Sequence, residues 1–162
     1  MTDIEQLVLE LARELGGRGL KLATAESCTG GGIAQALTEV AGASDWFDRG
    51  FVTYSNDAKM EMLGVSAATL ERHGAVSEGT VLEMARGALA RSPAQLSVAV
   101  SGVAGPGGGS ADKPVGTVWI GWAATPGWSR AELFHFPGNR SAVRRATIAA
   151  ALQGLRAHLD GL

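Results

Sequence analysis

Two stretches carry the side chains best suited to covalent chemistry. The first is Ala25-Glu26-Ser27-Cys28-Thr29-Gly30-Gly31, where an apolar strand gives way to a helical pattern. A ligand in an α/β fold binds beyond strand carboxyl ends, and a helix start there offers free N–H groups. A hydroxyl so placed can attack a carbonyl while the N–H groups of Cys28, Thr29, Gly30 and Gly31 hold the oxyanion. G-x-S-x-G is absent, so this is not the nucleophile elbow of an α/β-hydrolase. Ser27 or Thr29 can equally serve as a plain helix cap. Cys28 is a rival nucleophile, since a helix start lowers a thiol pKa, or else a small buried hydrophobe.

The second stretch holds Tyr54 and Lys59. Of 14 basic residues only Lys21, Lys59 and Lys113 are lysines, and only lysine readily gives up its proton. A desolvated lysine is a usable base for a serine, and a phenol can relay the proton. The alternative is a core tyrosine beside a solvated lysine.

Anion binding has two candidates. Residues 101–110 read Ser-Gly-Val-Ala-Gly-Pro-Gly-Gly-Gly-Ser after a buried strand. Neither a Walker loop nor a dinucleotide fingerprint is present, but the N–H groups of Gly105, Gly107 and Gly108 can form an anion nest. A flexible hairpin connection is the other reading. Arg140, Arg144 and Arg145 open the last helix, where cations oppose the dipole and an i, i+4 pair repels itself. A phosphate between them resolves that conflict, as would carboxylates elsewhere. His73, His135 and His158 show no metal spacing. Trp119 and Trp122 read as packing, and Trp46 with Phe47 as a mobile lip or interface patch.

The elements that must position these groups follow from periodicity. Ile4, Leu7, Val8, Leu11 and Leu15 mark a helix, capped by Thr2 with Glu5 and ended by Gly16-Gly17. Strands are expected at 21–25, 51–54, 96–103, 115–124 and 131–136. A helix through Ile33, Ala36, Leu37 and Val40 follows the first. Ser55, Ser66 and Ser77 each precede a helical run, the last of them long, and a final helix spans 139–159. Strands alternating with helices early, then consecutive strands, predict an α/β fold. It is a three-layer α/β/α sandwich around a mixed sheet.

Composition bounds the function class. The 162 residues suit a single domain, 1–162, that buries roughly two-thirds of its surface. Hydrophobic content of 46% excludes intrinsic disorder, and a net charge of −2 gives no footing for nucleic acid. One cysteine can form neither an internal disulfide nor a thiolate zinc site. The acidic start and the lack of a long apolar run point to a soluble, cytoplasmic chain with no membrane segment.

Taken together, T-A-E-S-C-T-G-G (24–31), Tyr54…Lys59…Leu63-Gly64-Val65, G-A-V-S-E (74–78), S-G-V-A-G-P-G-G-G (101–109) and K-P-V-G-T-V (113–118) form an ordered set. The set resembles the CinA C-terminal-domain family, the nicotinamide-nucleotide amidases, over about residues 4–159. The resemblance implies hydrolysis of nicotinamide mononucleotide to nicotinate mononucleotide and ammonia through a serine nucleophile and an acyl-enzyme. It assigns the nucleophile to Ser27, the tyrosine to Tyr54 and the lysine to Lys59. It implies a three-layer sandwich, a homo-oligomer of two or more copies, a small-molecule nucleotide substrate, and neither metal nor organic cofactor. The family usually has Gly-Asp-Arg where this chain has Gly138-Asn139-Arg140, which bears on how Arg140 is oriented. A non-catalytic nucleotide-binding or competence-associated module on the same fold is the alternative function.

Overall fold

At the amino end the reciprocal cap forms as read. Glu5 N–H donates to Thr2 Oγ1 (3.1 Å) and Thr2 N–H to the Glu5 carboxyl (3.0 Å), opening α1 (Asp3–Arg18). Gly16-Gly17 do not end it. The helix runs through both and stops at Gly19, whose φ of 67° supplies the left-handed cap. In this computed structural model, which describes all 162 residues, the elements continue as β1 (Leu22–Glu26), α2 (Gly32–Thr38), a 3₁₀ turn (Ala43–Asp45) and β2 (Phe47–Val52). Next come α3 (Asn56–Leu63), α4 (Ala67–His73), α5 (Glu78–Ala90) and β3 (Leu96–Gly102). The chain closes with β4 (Thr117–Ala124), β5 (Trp128–His135) and α6 (Arg140–Asp160).

All five strands join one sheet in the order β2-β1-β3-β4-β5. β1 runs parallel to both β2 and β3, while the β3–β4 and β4–β5 pairs are antiparallel. The mixed sheet is covered on both faces, giving the α/β/α sandwich. Strand alternation sorts the two cores. Leu22, Leu96, Val98, Val100, Val118, Ile120 and Trp122 meet α1, α2 and α6 on one face. The opposite face carries Ala23, Ala25, Ala99 and Ala123, small residues that let α5 approach closely. At Gly121 an added Cβ would sit 2.8 Å from the Val81 carbonyl oxygen of α5, so that crossing tolerates no side chain.

Two readings of the sequence are corrected. β2 begins at Phe47 rather than 51, and Thr53 and Tyr54 leave the sheet. Pairing starts early because Leu22 N–H donates to the Trp46 carbonyl (2.8 Å). Trp46 is no mobile lip: the 3₁₀ turn folds it into the core at 3% exposure.

Three parallel strands end on the same edge of the sheet. From β1 the chain leaves toward β2 on one side, while β3 lies on the other. A crevice therefore opens between the carboxyl ends of β1 and β3, the place where strand order reverses. Ser27, the loop after β2 and the glycine loop after β3 all emerge there.

Candidate active site

Ser27 directly follows β1, and its N–H donates to the Val100 carbonyl of β3 (3.1 Å). Across the crevice Ser55 caps α3 through the Ala58 N–H (3.0 Å). Lys59 and Leu63, one turn apart, form the inward face of that short helix. Lys59 is thus buried at 1% exposure. Its Nζ donates to Ser27 Oγ (2.9 Å), Thr53 O (2.9 Å) and Tyr54 O (3.1 Å). Three oxygens match the three protons of an ammonium, yet Lys59 makes no ion pair. Burial pulls its pKa from the usual lysine range down to about 8. Serine and lysine are thereby in direct contact, with about one amine in ten neutral at pH 7.

Cys28 is disposed otherwise. It packs in the core at 5% exposure, and burial pushes its thiol up to about 11. A thiol in that state is a poor nucleophile at neutral pH. Tyr54 contributes its carbonyl to Lys59, and Ser27 Oγ also lies 3.4 Å from that oxygen. Its phenol turns outward at 63% exposure and accepts a hydrogen bond from Arg140 Nη2 (3.2 Å). The relay expected of the phenol has no hydrogen bond to Ser27 or Lys59 behind it.

The turn after Ser27 supplies fewer donors than expected. Gly30 N–H goes to Ser27 O (3.0 Å), leaving the Cys28, Thr29 and Gly31 N–H groups without a protein acceptor. The α2 N-terminus is not free either. Its Ile33 and Ala34 N–H groups donate to the Glu26 carboxyl (2.7 and 3.0 Å), which also accepts the Thr29 hydroxyl (2.5 Å). Neither Ser27 nor Thr29 is therefore the helix cap. Glu26 fills that role, and sequence reasoning gave it none. Caps are sought within three residues of the N–H they satisfy, and Glu26 lies seven before Ile33, across a turn.

The arginines separate. Arg140 Nη1 donates to Gly105 O (2.8 Å), linking α6 to the glycine loop and, through Nη2, to Tyr54. Arg144 donates to Cys28 O (3.1 Å) and Thr29 O (3.0 Å) and so braces the turn after Ser27. Arg145 lies one helical step round, in a different cleft beside Met1, Ile4 and Val8 of the α1 end. It does not join the Ser27 site. Asn139 caps α6 by accepting the Ala142 N–H (3.0 Å), as the family aspartate would, and Arg140 takes its orientation from Gly105 and Tyr54 instead.

A pocket of about 240 Å³ is lined by both Ser27 and Lys59. Ser27, Lys59, Tyr54, Ser101 and Arg140 give it polar walls, with Ala75, Val76 and Ala104 as apolar ones. Ala104 and Arg140 also wall a second hollow, which runs past Pro106, Asn139 and Ser141. Gly105 faces inward while Gly107 and Gly108 are exposed in the loop and line neither hollow. Ala75 and Val76 entered the sequence reading only within the G-A-V-S-E motif, with no site role. Their segment is fixed where Lys113 Nζ donates to His73 O (2.5 Å) and where Ser77 and Thr80 hydroxyls donate to Gly74 O. No cluster of three His, Cys, Asp or Glu side chains could hold a metal ion, and no helix is long and apolar enough to cross a membrane.

The chain is similar to several known proteins. Nicotinamide-nucleotide amidohydrolase PncC of Escherichia coli K12 is 53% identical over 157 residues, covering 96% of this chain and 95% of that protein. A CinA-like protein of Akkermansia muciniphila is 55% identical over 141 residues, which make up 34% of its own length. The crystal structure of competence/damage inducible protein CihA from Agrobacterium tumefaciens superposes with a TM-score of 0.96 at 51% identity, covering 99% of this chain and 97% of that one. The CinA C-terminal domain model matches residues 4–159, and the chain belongs to that family.

Proposed function

We propose that this chain hydrolyses the carboxamide of nicotinamide mononucleotide, releasing nicotinate mononucleotide and ammonia. The observation that carries the reading is the direct 2.9 Å contact between Lys59 Nζ and Ser27 Oγ at the floor of an open pocket. The name of the Escherichia coli relative supports the substrate.

Neutral Lys59 takes the Ser27 proton as Oγ bonds to the carboxamide carbon. The carbonyl oxygen becomes an oxyanion, held by the unpaired N–H groups of the Cys28–Gly31 turn. The lysine ammonium then gives its proton to the departing nitrogen, and ammonia leaves an ester on Ser27. Water, deprotonated by the same amine, attacks the ester carbon. Nicotinate mononucleotide departs as Ser27 regains its proton. Because Lys59 reaches Ser27 directly, Tyr54 is needed at most for its carbonyl and its hold on Arg140. The nicotinamide ring fits against Ala75, Val76 and Ala104. Ribose and phosphate then extend past Arg140 into the second hollow.

A binding-only module has no use for a buried lysine of depressed pKa against a pocket-lining serine, which favours the enzyme. Ammonia release from nicotinamide mononucleotide by the purified chain decides between them. Tight binding without release, or undiminished release by Ser27→Ala, would reject the mechanism.

A further inference from the structure

Helices α3, α4, α5 and α6 are each capped by a Ser or Asn three residues before the N–H it accepts. α2 is the exception. Its cap residue, Gly31, offers no side chain, and the N–H groups go to a carboxyl that is fully buried and has no cationic partner. Capping a seven-residue helix does not require a buried acid, because a serine at the usual place would serve. The unusual reach of Glu26 does something a local cap cannot. Its carboxyl closes a ring around residues 27–32, with the Thr29 hydroxyl as a third donor inside that ring.

The Glu26 backbone ties in the other reactant. Thr53 N–H donates to Glu26 O (2.9 Å), and Thr53 O in turn accepts from Lys59 Nζ (2.9 Å). Ser27 is bonded to Glu26 covalently, and Lys59 reaches it through one residue. On the outer side of the same turn Arg144 holds the Cys28 and Thr29 carbonyls. In a trans peptide the N–H points opposite to the preceding C=O. Fixing Cys28 O on Arg144 therefore directs the free Thr29 N–H away from that arginine, and fixing Thr29 O sends Gly30 N–H to Ser27 O.

We propose that Glu26 and Arg144 are positioning residues: a buried carboxyl inside the turn and a guanidinium outside it hold Ser27 Oγ on Lys59 and aim the oxyanion donors. The proposal rests on Ser27 being the nucleophile. Arg144 is then a brace and not a phosphate ligand, so its loss acts on turnover rather than on substrate affinity.

Glu26→Gln, Thr29→Val and Arg144→Met are compared with the parent for kcat, KM, melting temperature and the rate at which a fluorophosphonate labels Ser27. Glu26→Gln keeps the shape but presents an N–H₂ to one of three donors. Thr29→Val deletes one hydroxyl from an otherwise unchanged ring. Displacing a reacting atom by a fraction of an ångström to 1 Å lowers turnover by roughly 10- to 100-fold. Expected in each folded variant is a fall of at least about 10-fold in both kcat and labelling rate, with KM held within about 3-fold. Parental kcat and labelling in Thr29→Val and Arg144→Met would overturn the proposal, as would a change confined to KM in Arg144→Met. Should Glu26→Gln fail to fold, those two variants decide alone. A parent that resists the label, together with an active Ser27→Ala, would instead remove the nucleophile assignment itself.

Discussion

Lys59 Nζ and Ser27 Oγ are 2.9 Å apart, and the other two neighbours of that nitrogen are the uncharged carbonyls of Thr53 and Tyr54. A carboxylate in either place would stabilise the ammonium and raise its pKa. Carbonyl dipoles alone leave burial to dominate, which is why the amine falls to about 8. The geometry is therefore that of a depressed-pKa amine beside a hydroxyl, in a pocket that no histidine lines.

The first prediction separates the adjacent nucleophile candidates. Ser27→Ala should abolish ammonia release while the melting temperature stays near parental. Cys28→Ala should keep most activity, since a thiol held up to about 11 does not react at neutral pH. An inactive Cys28→Ala paired with an active Ser27→Ala would reverse the roles.

A pH profile tests the protonation state. Only neutral Lys59 accepts the serine proton, so kcat/KM should climb about tenfold per pH unit below 8 and level off above it. At pH 7 about one enzyme in ten then carries the active form. Cys28 stays protonated across this range and adds no limb of its own. A flat or falling rate between pH 6.5 and 9 would contradict the assignment.

Local chemistry in the sequence located most helix starts, because Thr2, Ser55, Ser66, Ser77 and Asn139 each satisfy an N–H within their own first turn. The doubly buried β3 was equally legible from a predominantly apolar run interrupted only by Ser97 and Ser101. Features that depend on tertiary partners were not. Phe47-Asp48-Arg49-Gly50 has no alternating pattern, and becomes strand only because β1 pairs with it. The pairing of Ser27 with Lys59 spans 32 residues. No spacing rule reaches that far, so it came from family resemblance. Arg144 and Arg145 look equivalent in the sequence, and helical rotation alone sends one to the turn after Ser27 and the other to the α1 cleft.

Substrate phosphate should be felt at Arg140. Arg140→Ala removes a charge-assisted donor worth about 1.5–3 kcal/mol and should raise KM roughly 10- to 150-fold. Tyr54→Phe takes away only the phenol on Arg140, leaving the Lys59 contacts intact, so kcat should stay within about threefold and KM should rise modestly. A hundredfold loss of kcat in Tyr54→Phe would restore the phenol to the proton path. Equal turnover of nicotinamide riboside and the mononucleotide by the parent would give Arg140 another task.

Stability is testable at two helical glycines that differ in surroundings. A Cβ at Gly154 would come within 2.1 Å of the Trp122 ring, which cannot retreat easily because its Nε1 donates to Ala151 O (3.0 Å). The overpacking cost of about 1–3 kcal/mol exceeds the ~1 kcal/mol gained in helix propensity. Gly154→Ala should therefore lower the urea midpoint. Gly17 in α1 has nothing within 4 Å, so Gly17→Ala should raise the midpoint, adding up to ~1 kcal/mol of stability. Opposite signs at the two sites are the expected result; a stabilised Gly154→Ala would mean that α6 moves off the sheet freely.

The sharpest test of the mechanism is Lys59→Arg. This chain uses arginine for 11 of its 14 basic positions, so charge alone does not explain a lysine here. Lys21 and Lys113 show what the other lysines do: each ties a distant backbone carbonyl, at Asp45 and His73, from a partly exposed position. Lys59 also binds carbonyls, but it is buried and adds the Ser27 hydroxyl to them. If it merely organised the loop after β2, arginine could keep two of those contacts and turnover would suffer little. A base must be neutral for part of the time, and guanidinium stays protonated because its pKa exceeds ~12. Lys59→Arg should thus lose at least ~10²-fold in kcat with KM nearly unchanged. The rising limb near pH 8 should also disappear from whatever activity is left. Near-parental kcat in folded Lys59→Arg, with the limb still present, would take Lys59 out of proton transfer and leave it a purely structural tie between β1 and α3.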